Sequence, residues 1–166
     1  MKTLFLLLSL IFTSLSSVQP DQSTSVFVSE GESMAPTLNS NDRFLADKTY
    51  YDSHPIQRGD IVIFQAEKDR QYVKRVIALP GETLEYKSDI LYINNKVVDE
   101  PYLASAKNVA QKENHYLTED FGPITIPEDT IFVLGDNRLN SLDSRVIGPV
   151  HVSKILGKMT NKLPPN

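Results

Sequence analysis

The chain contains no cysteine. That absence excludes disulfides, thiolate metal sites and cysteine nucleophiles together, and it leaves the redox compartment open. Positive charge is in short supply. Seventeen Lys and Arg face 21 Asp and Glu for a net charge of −4, whereas a general nucleic-acid binder carries a basic surplus. Tryptophan is absent as well, which decides nothing. Histidine is scarce: His54, His115 and His151 are the three, scattered in unrelated polar stretches. A Ser-His-Asp arrangement therefore has no evident base. A long apolar run is missing too, since the segment Thr3–Val18 falls short of the roughly 20 residues of a spanning helix. Internal repeats and low-complexity tracts are absent.

What is present fits one domain of ordinary size. The chain has 166 residues, 40% of them hydrophobic, enough for a sizeable core. Its N-terminus, "MKTLFLLLSLIFTSLSSV", has one lysine, an apolar run from Leu4 to Phe12 and a Ser-rich end. Ser14 and Ser16 supply the small residues that precede a signal-peptide cut. Residues 1–18 are thus expected to be a cleaved signal or a short apolar helical anchor, and either way the remainder is exported. A polar spacer, "QPDQSTS", covers 19–25.

From there the chain reads as short strands. "VFVSEGESM" begins extended, and "DRFLADKTYY", "GDIVIFQA" and "QYVKRVIALPG" follow, the last ended by Pro80-Gly81. "TLEYKSDILYINNKVV" gives strands meeting at Lys87–Asp89, with a second turn at Asn94-Asn95. "PITIPEDTIFVLGDN" gives two more and "GPVHVSKILGKMT" the last. Only "YLASAKNVAQKENH" looks helical, and it lacks a firm apolar stripe. The expected fold is mainly β, a domain over 26–160 with a small inserted β subdomain at 86–128 and a tail at 161–166.

"GESMAPTL", residues 31–38, places Ser33 between a glycine-led turn and Pro36. A serine hydroxyl needs a base to take its proton, and a neutral lysine serves where histidine does not. Lysine titrates near 10.4 in water and must lose about three units to work near neutrality, which burial in apolar surroundings achieves. Lys74 in "YVKRVIAL" fits: period-two alternation sets it on a face with Tyr72, Val76 and Ala78, with no carboxylate in the strand, while Val73, Arg75, Ile77 and Leu79 face the other way. Taken singly, each residue also fits a bland reading, a turn serine and a solvent-facing strand lysine. "GDNRLNSLDSR", 135–145, reads either as a polar loop closed by Asp143 and Arg145 or as a place from which Ser141 positions the lysine amine. A phosphate site at Gly135 lacks a second glycine and a following lysine, and "RGD" at 58–60 leads straight into a buried strand rather than an adhesive loop.

Together, "GESMAPTL", "RGDIVIF", "YVKRVIALPGE" and "GDNRLNSLDSR" resemble, in order, the motifs of type I signal peptidases, the serine-lysine endopeptidases that release exported proteins from their signal peptides. "LYINNKVVDEPYL" and "FGPITIPEDTIFVLGDNR" read like the family between them, so the likeness runs from about Val26 to Gly157. It implies a mostly antiparallel-sheet β fold, with Ser33 as nucleophile, Lys74 as general base, Ser141 as the residue orienting Lys74, and Asp143 paired with Arg145 to shape the site. Asp136, Asn137 and Arg138 are implied to be structural. The resemblance also implies that the Ser33 backbone N–H forms half of an oxyanion hole, and Gly31 stands where one branch of the family has a second, hydroxyl donor; this chain resembles the compact, Gram-positive-like branch. Met34 and Leu38 are candidates for the wall of a substrate pocket that selects an Ala-x-Ala pattern.

The resemblance implies no metal or cofactor. It implies exported preproteins as substrates, a membrane surface nearby, an extracytoplasmic catalytic domain, and no nucleic acid; oligomeric state is left open. The spacer ahead of Val26 keeps a released, soluble form beside the anchored one. Ala104-Ser105-Ala106 is itself an Ala-x-Ala stretch, readable as a self-cleavage site or as chance in a loop. Two rival readings stand beside the peptidase: a serine-lysine processing enzyme with a dedicated client, as in conjugation or pilus systems, and an inactive signal-peptide-binding homologue.

Overall fold

The computed structural model describes residues 23–165; the apolar segment at 1–18 lies outside the described residues. Among the described residues, eleven strands form two antiparallel sheets. The larger has the order β1 (Thr24–Val28), β2 (Arg43–Asp47), β11 (Ile155–Lys162), β3 (Ile61–Glu67), β4 (Arg70–Ala78), β9 (Thr130–Leu134), β10 (Val150–His151). The smaller has the order β7 (Lys96–Val98), β6 (Ile90–Ile93), β5 (Thr83–Lys87), β8 (Phe121–Thr125). Short helices α1 (Tyr50–Ser53), α2 (Ala104–Lys112) and α3 (Ser144–Ile147) sit in the connections.

The expected strands form where β-branched and aromatic residues alternate, and turn chemistry sets their ends. Both hairpin turns of the small sheet use left-handed residues, Ser88 and Asp89 at φ 51° and 64°, Asn94 and Asn95 at φ 51° and 62°, which matches the twist of the flanking strands. The helical-looking segment forms α2 behind a 3₁₀ turn at Pro101–Leu103, and Ala110 is its only buried residue. This fits its weak apolar stripe. The final stretch differs from expectation by splitting in two. The His151 side chain accepts the Ser153 N–H and closes a 3₁₀ turn at Val152–Lys154, so β10 stays beside β9 while β11 crosses to lie between β2 and β3.

Simple alternation also fails in β4. The register with β9 shifts between Val76 and Ala78, a bulge that puts neighbouring Ile77 and Ala78 into the same core cluster. That cluster takes Leu84, Tyr86, Leu91 and Ile93 from the small sheet and Phe132 and Leu134 from the large one. The two sheets thus share one core, and each such side chain contributes about 1.5–3 kcal/mol when fully buried. Before the bulge, β9 pairs only from Arg75 onward. The β9-facing edge of Arg70–Lys74 has no strand partner among the described residues.

Candidate active site

The connection from β1 to β2 carries Ser33. Met34 and Leu38 on either side of Pro36 are 2% and 0% exposed and pack with Phe44, Ala46 and Ile63, pegging the turn to the sheet. Its backbone closes on itself: the Ala35 N–H donates to the Glu32 carbonyl at 3.0 Å and the Leu38 N–H to the Met34 carbonyl at 2.9 Å. Ser33, half-buried, faces a cleft of about 710 Å³.

β4 brings Lys74 to the floor of that cleft. It is 4% exposed, with Nζ 2.8 Å from Ser33 Oγ and 3.0 Å from the Val73 carbonyl. Nζ also lies 5.2 Å from the centre of the Tyr72 ring. Burial pushes the lysine pKa down to about 8, against the upward pull of the Asp143 and Asp136 carboxylates. A protonated amine donates to Ser33 across the 2.8 Å contact; a neutral one accepts the hydroxyl proton over the same distance.

The loop after β9 clamps the serine turn from behind. The Asn137 N–H donates to the Ser33 carbonyl at 3.0 Å, and Asn137 Nδ2 to the Glu32 carbonyl at 3.1 Å. Asp136 accepts Thr37 Oγ1 at 2.5 Å and a fork from Arg75, Nε at 2.8 Å and Nη2 at 2.6 Å. Gly135 is the tightest point: a Cβ there would lie 2.3 Å from the Ser33 carbonyl oxygen and 2.2 Å from Ser141 Oγ.

Asp143 caps α3 and pairs with Arg145 at 2.9 Å through both carboxylate oxygens, while the Gly135 N–H donates to it at 3.0 Å. Burial pushes the Asp143 carboxyl up, but Arg145, the Gly135 N–H and the nearby Ser141 hydroxyl hold it below the ordinary carboxylate range. Ser141 Oγ is buried beside this carboxylate without a well-formed hydrogen bond. The hydrogen-bond partners of Lys74 Nζ are Ser33 Oγ and the Val73 carbonyl.

Of the two candidate pocket residues, Met34 lines the cleft with Phe27, Ile63 and Val73. Leu38 does not. It is fully buried in the packing beneath the turn, because the turn's internal hydrogen bond folds it back under Met34. Gly31 is exposed at φ 78°, with open space where a side chain would stand. Arg58 of the RGD triplet is tied to the Ile77 carbonyl and Glu82, and Asp60 to Lys158, so neither charge is free for an adhesion receptor. Ala104-Ser105-Ala106 forms the first turn of α2 rather than an extended loop.

With this geometry established, similarity to known proteins is informative. The family described as "Signal peptidase, peptidase S26" matches residues 2–163. The chain belongs to that family. Signal peptidase I of Bacillus caldolyticus is 49% identical over 139 residues, which cover 80% of this chain and 75% of the relative. Signal peptidase I S of Bacillus subtilis strain 168 is 49% identical over 120 residues, covering 72% of this chain and 65% of that protein. A crystal structure of a signal peptidase I from Enterococcus faecalis V583 is 43% identical with a TM-score of 0.60, covering 64% of this chain and 98% of that one. The mainly β, antiparallel architecture is that of the signal peptidase neighbour.

In this signal peptidase chain, sequence reasoning had missed the cradle at Gly135 and the Thr37–Asp136 contact. In the sequence the glycine stands out only as a rejected phosphate site, whereas what its missing Cβ admits is the carbonyl of Ser33. Arg75 was placed opposite Lys74 but without its partner Asp136.

Proposed function

We propose that this chain is a serine endopeptidase that removes signal peptides from exported preproteins with Ser33 as nucleophile and Lys74 as general base. The observation that carries the reading is the 2.8 Å contact between a half-buried serine and a buried lysine at the floor of an open cleft. Ser33 Oγ attacks the scissile carbonyl and its proton passes to Lys74 Nζ. The Ser33 backbone N–H faces the developing oxyanion. Lys74 then returns the proton to the leaving amine, and water releases the acyl group by the same route in reverse. Ser141, Asp143 and Arg145 shape this site, and Asp143 fixes Gly135 through its N–H.

The substrate lies extended along the unpaired edge of Arg70–Lys74, gaining main-chain hydrogen bonds as an added strand. Met34 faces the small residues of an Ala-x-Ala pattern. Val28 and Leu142 at the cleft, with Leu139 and Val146 nearby in sequence, are exposed apolar side chains suited to a membrane surface. We place the domain, 26–160 with the insert at 86–128, on the extracytoplasmic side of the cell membrane, either anchored through residues 1–18 or released.

The deciding experiment is cleavage of a preprotein carrying an Ala-x-Ala site. Wild type cuts after the second alanine, and Ser33→Ala loses at least about 10³-fold in kcat with folding intact. Cleavage by Ser33→Ala at the wild-type rate would end the reading.

The pH profile tests the base separately. Because the neutral lysine is the active form, kcat/KM rises with pH through about 8 and then levels. A rise centred two units higher would put Lys74 in water.

A further inference from the structure

Arg138 and Glu100 form a fully buried ion pair that the reaction scheme above does not use. Their side chains are 0% and 1% exposed. Arg138 Nη2 donates to Glu100 Oε1, and Nη1 donates to the Tyr86 hydroxyl at 2.7 Å and to Thr118 Oγ1 at 3.1 Å. The Tyr86 and Tyr102 hydroxyls donate to Glu100 Oε1 at 2.6 and 2.8 Å, and Lys107 Nζ approaches Glu100 Oε2 at 3.4 Å. Every partner except Arg138 belongs to the small sheet or its helical connection.

The Arg138 side chain has one bond in the other direction, beside the 3.1 Å bond of its backbone N–H to the Asp136 carbonyl. Its Nε donates to the Gly135 carbonyl at 3.1 Å. The next two residues are the clamp on the nucleophile turn, Asp136 on Thr37 and Asn137 on the Ser33 carbonyl. A second path runs through Tyr102, whose ring lies 4.0 Å beneath the Arg75 guanidinium, and Arg75 forks onto Asp136. Two paths thus run from Glu100 to the adjacent residues Gly135 and Asp136.

We propose that Glu100 is a positioning residue for the cleavage reaction, acting through Arg138 on the loop that holds Ser33. The small sheet supplies no reacting atom; its contribution is this carboxylate. A buried pair is a weak source of net stability, but removing one partner leaves an uncompensated charge that must find water or move. Arg138, deprived of Glu100, relaxes away from Gly135, and the loop loses its register on Ser33. The inference rests on the Ser33–Lys74 reading, because only then does the position of the Ser33 carbonyl matter to rate.

The test compares wild type, Glu100→Gln and Leu103→Ala in the full chain, below the melting temperature of every variant. Leu103 is buried under α2 with Ala110 and Leu117, with Tyr102 packed against them, so its truncation loosens the same region while removing no hydrogen bond to Glu100 or Arg138. Preprotein cleavage and hydrogen exchange at the Asn137 amide are measured together. Glu100→Gln is expected to lower kcat about 10- to 100-fold with KM unchanged, and to speed Asn137 exchange. Leu103→Ala lowers the melting temperature and leaves both readouts near wild type. Wild-type kcat or unchanged Asn137 protection in Glu100→Gln overturns the proposal, and so does an equal loss in Leu103→Ala. Should Glu100→Gln not fold, the double variant Glu100→Gln/Arg138→Met, which leaves no unpaired charge at the pair, carries the same expectation. If wild type cuts no preprotein, the peptidase reading fails, while Asn137 exchange still judges the brace.

Discussion

Replacing Lys74 by methionine abolishes cleavage and at the same time stabilises the protein at neutral pH. The loss of activity follows from removing the only amine within reach of Ser33 Oγ among the described residues, and a fall of at least about 10³-fold in kcat is expected. Lys74→Arg is equally inactive although it keeps the charge, because a guanidinium does not release its proton near neutrality. The gain in stability follows from burial. Folding lowers the lysine pKa from 10.5 to about 8. Below pH 8 the amine is protonated in both states, and the folded protein bears the full cost of a buried cation, up to about 3 kcal/mol. Between pH 8 and 10.5 the unfolded chain binds a proton that the folded one has released, so wild-type stability climbs with pH. Above that window the penalty is gone. Urea unfolding of wild type and Lys74→Met from pH 6 to 11 is expected to show a gap of about 1–3 kcal/mol at pH 7 that closes above pH 10.5. No gap at pH 7 would mean the lysine charge is solvated, and a cleaving methionine variant would remove Lys74 from the chemistry.

The second large effect is expected at Gly135. A single methyl there meets the Ser33 carbonyl oxygen at 2.3 Å and Ser141 at 2.2 and 2.6 Å, and a backbone oxygen has little room to yield. Gly135→Ala is expected to lose about 10²-fold in kcat by displacing the nucleophile turn and about 1–3 kcal/mol of stability by overpacking. Gly157→Ala separates the two effects. Its Cβ would lie 2.6 Å from the Asp47 carbonyl, in β11, so it suffers the crowding without touching Ser33. Equal activity losses in the two variants would reduce the Gly135 effect to general destabilisation.

The parts of the site legible in the sequence were those encoded locally. Lys74 announced itself by standing in a strand without a carboxylate, and the hairpins by their asparagine and aspartate turns. Asp143 and Arg145, two apart, found each other as expected. What stayed hidden depends on segments distant in sequence. The bulge at Val76–Ala78 puts an extra residue of β4, Ile77, opposite a single step of β9, a mismatch that exists only once the two strands pair. Leu38 looked like a neighbour of the serine and became part of its foundation, since one backbone hydrogen bond turns it inward. Glu100 and Arg138 are 38 positions apart, and neither has a local pattern that marks it for a buried pair. In each case the missing information is which surfaces meet, something periodicity within one strand does not carry.

The strand order has a consequence in time as well as in space. The β1–β2 hairpin, with Ser33 at its tip, and the β3–β4 hairpin, with Lys74, are neighbours in sequence, yet they share no sheet hydrogen bonds. β11 lies between β2 and β3 and joins them. In a chain emerging from its N-terminus, the packing of Met34 and Leu38 on Ile63 and Val73 therefore lacks its bridging strand until residues 155–162 are made. Such an order of assembly acts as a safety catch, since the sheet that sets the serine beside the lysine is completed only by β11.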